Sequence, residues 1–195
     1  MKNHILFFVL AVLCLNANSA NAQTSDSTVK FGVWQFGAAP LSSSIYPQIS
    51  GRFSTIGWGE IETAPDVWDW TAFDSSLSTR VADGLPVMFK VYVKEQAPAW
   101  LYTTGGVPKV IEKDVNGVTT GYSPYYLSSL YNFYFKRMIT KVRLHVESLS
   151  PSIRNKVVAV QGCFGSTGDY ISYKGTVAPQ YDISTTLFDS LYRVY

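Results

Sequence analysis

The chain has 195 residues with 16 basic and 14 acidic side chains, a formal net charge of +2, and no basic run. Such a near-neutral balance argues against nucleic acid or anionic membrane as a partner. Two cysteines and two histidines leave little material for a disulfide framework or a Cys/His zinc site, so no metal and no cofactor is expected.

The first 22 residues read as a signal peptide. Lys2 gives a positive start, Ile5 to Leu15 form a short apolar run, and Ala20-Asn21-Ala22 matches an A-x-A cleavage pattern. The run is too short to span a bilayer. Cleavage would remove Cys14 and leave Cys163 and His145 as the mature cysteine and histidine, with no intrachain disulfide. The expected location is therefore secreted or periplasmic, with no membrane association once the signal is removed.

Residues 23–29 are polar and read as a disordered linker, and residues 30–195 suit one domain. Lys30 to Phe36 (KFGVWQF) reads as a first strand and Arg52 to Trp58 (RFSTIGW) as a second. Phe73, Leu77 and Val81 recur at helical spacing, with Gly84 at the position of a C-cap. Leu85 to Val93 is an apolar third strand, ending at Ala97-Pro98-Ala99-Trp100. Strands alternating with helices predict βαβ units and a parallel sheet.

Val110–Asp114 and Val118–Tyr122 flank Asn116-Gly117, the signature of a hairpin turn. A long helix is expected next, capped by Ser123 with Pro124 at its first position. Its apolar face would be Leu127, Leu130, Tyr134, Met138, Val142 and Val146. Lys156 to Val160 predicts a fourth strand running out into Gln161–Tyr170, and Ile183 to Tyr195 predicts a last helix.

The chemistry gathers at the strand ends. Trp58, Glu60 and Glu62 share strand parity and close the second strand, and Trp100 follows the third. Aromatic faces stack on the C–H bonds of a pyranose and carboxylates accept from its hydroxyls, so these four, with Arg52 and Trp34, are candidate sugar contacts. A purely structural reading stands beside each. Glu62 can pair with Arg52 at the sheet rim, Trp100 can plug the core, and Trp68 and Trp70 read as packing. Cys163 reads as a small buried residue without a partner histidine, and His145 as facing solvent or the dipole at the carboxyl end of its helix. Gly165-x-x-Gly168 lacks the Lys and Ser/Thr of a phosphate loop.

The stretch from Arg52 to Asp169 resembles the N-terminal half of clan A glycoside hydrolases, and most closely the family 42 β-galactosidases. The similarity runs through Arg52, Trp58 and Glu62, then Val67-Trp68-Asp69-Trp70 and Phe73-Asp74, then Gly84 and Pro98-Ala99-Trp100-Leu101. It continues with Asn116-Gly117 and Ser123-Pro124-Tyr125. The resemblance implies an α/β chain of the (β/α)8 TIM-barrel type, of which about four βα units, the N-terminal half, are present. It also implies a retaining hydrolase of oligosaccharides or polysaccharides, using an acid/base and a nucleophile. The family's Asn-Glu pair on strand four is replaced here by Gly162-Cys163. Asp169, in Thr167-Gly168-Asp169, is then the candidate acid/base, and the family's nucleophile would lie beyond residue 195. That departure leaves open a non-catalytic carbohydrate-binding relative or an inactive truncated product.

Overall fold

A computed structural model describes residues 32–36, 41–42, 44–162 and 173–192. The signal and linker segments, Cys163 and Asp169 lie outside these residues. In chain order, strands β1 (Val33–Phe36) and β2 (Ile49–Gly57) precede a single helical turn, α1 (Trp58–Ile61). A short antiparallel ribbon, β3 (Glu62–Ala64) and β4 (Val67–Trp68), leads into helix α2 (Thr71–Val81) and strand β5 (Val87–Tyr92). Two 3-10 turns at Lys94–Gln96 and Ala99–Tyr102 follow, then the hairpin β6 (Lys109–Lys113) and β7 (Thr119–Pro124). Helices α3 (Ser129–Ser148) and α4 (Pro151–Arg154), strand β8 (Val157–Gly162), a 3-10 turn at Pro179–Tyr181 and helix α5 (Thr185–Tyr192) complete the order.

The strands β1, β2, β5 and β8 lie side by side in that order, every pair parallel. β2 and β5 stay in register from Arg52↔Val87 to Gly57↔Tyr92. Because side chains alternate along a strand, Arg52, Ser54, Ile56, Val87, Phe89 and Val91 share one face and Phe53, Thr55, Met88, Lys90 and Tyr92 the other. The first set meets the helices: Ser54 and Ser76 hydroxyls are 3.0 Å apart, and Phe73 packs edge-on to Phe89 at 4.9 Å. Phe73, Leu77, Val87, Phe89 and Val91 are all buried there. Each such side chain contributes roughly 1.5–3 kcal/mol by leaving water. The described residues therefore form an open parallel α/β sheet; they show no closure into a barrel.

The hairpin follows its sequence signature. Gly117 takes φ +78, a conformation that penalises a Cβ. The Asp114 carboxylate accepts from the Asn116 and Val118 amides at 2.9 and 2.8 Å, tying the turn from inside.

The start of the long helix differs from expectation. Ser123 and Pro124 end β7, and α3 begins after Ser128, whose hydroxyl accepts from the Tyr131 amide at 3.5 Å. Ser123 is held in the sheet because its hydroxyl donates to buried Glu112 at 2.7 Å. The stripe α3 buries is Tyr131, Phe135, Met138 and Val142, while Leu130 stays 43% exposed. Pairing beyond the local sequence moved the cap, while the stripe keeps Met138 and Val142, adds Tyr131 and Phe135, and has Leu127, Tyr134 and Val146 packed at its edge.

Candidate functional site

At the carboxyl ends of β1, β2 and β5 lies a hollow of about 440 Å3 lined by Phe36, Phe53, Thr55, Gly57, Glu60, Lys90, Tyr92 and Gln96. The strands build it by alternation: Phe53, Thr55 and Gly57 come from one face of β2, Lys90 and Tyr92 from the same face of β5. Phe36 and Phe53 rings sit 5.6 Å apart as one wall. The Lys90 ammonium rides 4.8 Å from the Tyr92 ring centre as another.

Gly57 is the floor between two polar groups. A Cβ there would come within 2.7 Å of Gln96 Oε1 and 3.0 Å of Glu60 Oε1. The missing side chain thus lets a carboxylate and an amide oxygen converge above the end of β2. Glu60 comes from α1 and Gln96 from the turn after β5, both exposed. Acceptors set beside aromatic walls suit a ligand that carries hydroxyls on an apolar ring.

Of the residues singled out in the sequence, Glu60 reaches this hollow and most others do not. Trp58, Glu60 and Glu62 do not share a face, because Trp58–Ile61 is a helical turn rather than the end of a strand. Helical spacing turns Trp58 and Glu62 inward together and leaves Glu60 outside. Trp58 and Glu62 are both fully buried, and the indole Nε1 donates to Glu62 Oε2 at 2.7 Å. Glu62 Oε1 accepts from the Asp66 amide at 2.9 Å and pairs with Arg137 of α3.

Trp100 is 8% exposed, and its Nε1 donates to the Glu62 carbonyl at 3.2 Å. It meets Trp58 edge-on at 6.4 Å and Tyr134 at 5.1 Å. Trp58, Glu62 and Trp100 thus form one buried knot under α3, not a stacking platform in the hollow.

Arg52 belongs to the opposite end of the sheet. It is fully buried, pairs with Asp83 and Gln35, and donates to the Leu41 carbonyl at 2.7 Å. Its partner is not Glu62, which stands ten residues further along the chain. Trp34 lies half-buried over Gly51, where any Cβ would strike its ring within 2.4 Å. It is on the same face as the hollow but nearer the amino end. Asp169 falls outside the described residues, although the chain leaves β8 at Gly162, which pairs with Val91 near this mouth.

Of the two settings expected for His145, it lies in the last turn of α3 and does not face solvent. Its ring stacks on Trp70 at 4.1 Å, and its Nε2 lies 2.7 Å from Asp74 Oδ1. Trp68 stacks on Trp70 at 5.4 Å, so this pair is packing.

Of the eight residues lining the hollow only Glu60 was singled out beforehand, and the two polar side chains missed show why. Lys90 carried a signal, since it is the one charge inside the apolar run Leu85–Val93. Gln96 carried none except its place just after a strand.

Among the described residues no group of His, Cys, Asp and Glu is arranged to hold a metal ion, and no helix is long and apolar enough to cross a membrane. No protein-family model matches the chain, and no curated protein matches it. Among solved structures the chain is similar to a β-galactosidase from the psychrophilic Marinomonas ef1. That likeness has 21% identity and a TM-score of 0.41, and covers 70% of this chain. The chain spans 22% of that enzyme's length.

Proposed function

We propose that this chain is the sugar-holding part of an exported glycoside hydrolase acting on oligosaccharides, β-galactosides being the first to test. The observation that carries the reading is the convergence of Glu60 and Gln96 oxygens above Gly57, inside a hollow walled by Phe36, Phe53 and Tyr92. Its size falls within the range of about 300–1,000 Å3 common to small-molecule sites. Its place outside the carboxyl ends of parallel strands is where α/β sheets hold ligands.

In this reading Glu60 and Gln96 accept from sugar hydroxyls, and Tyr92 or Phe53 meets the apolar ring face. Asp169 is the proposed proton donor to the glycosidic oxygen. Hydrolysis with retention requires an ionised carboxylate opposite the acid to attack the anomeric carbon. The resemblance assigns that group to a later strand.

The test is a panel of aryl glycosides and lactose presented to the full chain. Saturable shifts of the Tyr92 and Gln96 resonances on adding lactose or a related disaccharide support the reading. Resonances that stay still at millimolar sugar would discard it. In a protein that also carries the later-strand carboxylate, Asp169→Asn should lower turnover by about two to four powers of ten, the usual reach of general acid catalysis.

A further inference from the structure

We infer that Lys94 and Glu112 form a positioning pair, through which the hairpin sets where Gln96 stands in the hollow. This rests on the sugar-site reading for its purpose, but not for its geometry.

Lys94 has φ +39, a left-handed backbone that a side chain with a Cβ rarely adopts. Strain of this kind persists only where surrounding contacts over-determine it. The contact here is unusual. Instead of reaching solvent, the Lys94 side chain is buried, and its ammonium lies 3.1 Å from Glu112 Oε2 on β6. Glu112 is wholly buried, with its other oxygen accepting from Ser123 on β7 at 2.7 Å. The Oε2 contact is an ion pair and not an aligned hydrogen bond. The other charge near the ammonium is Glu95, at 3.8 Å and facing solvent.

A buried ion pair is a poor source of net stability, because desolvation consumes what attraction returns. Strain and a buried pair therefore coincide at one residue without an evident gain for folding. What they do determine is the path of the next two residues. The Gln96 amide closes on the Val93 carbonyl at 2.6 Å, and the Ala97 amide on the Lys94 carbonyl at 3.1 Å. That turn aims the Gln96 side chain over Gly57. With Lys94 anchored, the hairpin and the mouth of the sheet move as one body; without the anchor the left-handed turn can relax.

The test is the double replacement Lys94→Met with Glu112→Leu. The double variant removes both charges and keeps an apolar filling, so it guards against simple unfolding. The readouts are the Gln96 side-chain amide signals and hydrogen exchange at the Gln96 backbone amide, both in sugar-free protein. Positioning predicts displaced side-chain signals and exchange at least tenfold faster in the double variant, with its unfolding midpoint near that of the parent. Gln96 signals and exchange that coincide with the parent would overturn the inference. Lactose binding is the second arm, and about tenfold weakening is expected in the double variant. If the parent itself fails to bind lactose, the sugar reading falls while the sugar-free readouts still decide the positioning.

Discussion

Arg137, midway along α3, pairs with Glu62, 75 residues earlier in the chain and wholly removed from solvent. The pair clamps the long helix onto the start of β3, just past the turn that ends β2. Its anion also receives the indole proton of Trp58 and the Asp66 amide, so three donors lose their acceptor if the carboxylate goes. Glu62→Ala should cost about 3 kcal/mol, the lower part of the range for breaking a buried pair, since Arg137 retains some access to water. Urea unfolding at neutral pH measures it. Glu62→Leu with Arg137→Met should recover part of the loss, and two fully additive single costs would contradict the coupling.

Gly57→Ala addresses the hollow directly. The new methyl would displace the Gln96 and Glu60 oxygens, which lie 2.7 and 3.0 Å from its position. Both are ends of flexible, exposed side chains, so the stability change should stay within about 1 kcal/mol. Sugar binding should fall at least tenfold. Glu60→Ala should weaken binding similarly with the unfolding midpoint unchanged. Titration with lactose followed by resonance shifts separates the two quantities.

A tyrosine cluster behind the hairpin predicts an alkaline limit. Burial, with the neighbouring charge of Tyr122 and Glu112, holds the Tyr102 phenol well above its usual value near 10. Burial also raises Tyr126 and Tyr173. An unfolded tyrosine ionises near about 10 while the folded one still holds its proton. The stability these phenols contribute is therefore fully present below about pH 10 and lost as pH rises from there toward the folded values. Denaturation midpoints measured from pH 8 to pH 11 should fall steeply above 10, and Tyr102→Phe should make that fall shallower. At pH 7 the same replacement should be neutral or stabilising by up to about 1 kcal/mol. The Tyr102 hydroxyl is buried with no hydrogen-bond partner among the described residues.

His145 and Trp70 join α3 to the segment preceding α2, with parallel rings 4.1 Å apart. A double-mutant cycle of His145→Ala and Trp70→Ala should return a coupling of about 0.5–1.5 kcal/mol. A coupling of zero would mean that the rings merely share a cavity.

What the chain declares by itself is whatever depends on near neighbours. The apolar run Leu85–Val93 is long enough for one strand, Phe73 and Leu77 repeat at helical spacing, and Asn116-Gly117 tolerates the left-handed turn of a hairpin. Those three signals foresaw β5, α2 and the β6–β7 hairpin, and their alternation foresaw the parallel sheet. The residues of the hollow were only partly legible, and the turn at Trp58–Ile61 shows why. The segment Arg52–Trp58 alternates like a strand, and alternation carried forward puts Trp58, Glu60 and Glu62 on one face. One helical turn reverses that outcome, and its cause lies far away in sequence. Arg137 supplies the charge that makes burial of Glu62 tolerable, and Glu62 in turn accepts from the buried Trp58 indole. Gln96 reaches the hollow through a left-handed lysine anchored on a strand of the hairpin. Partners of buried charges are chosen by which elements come to lie against each other, and local propensity holds no record of that choice.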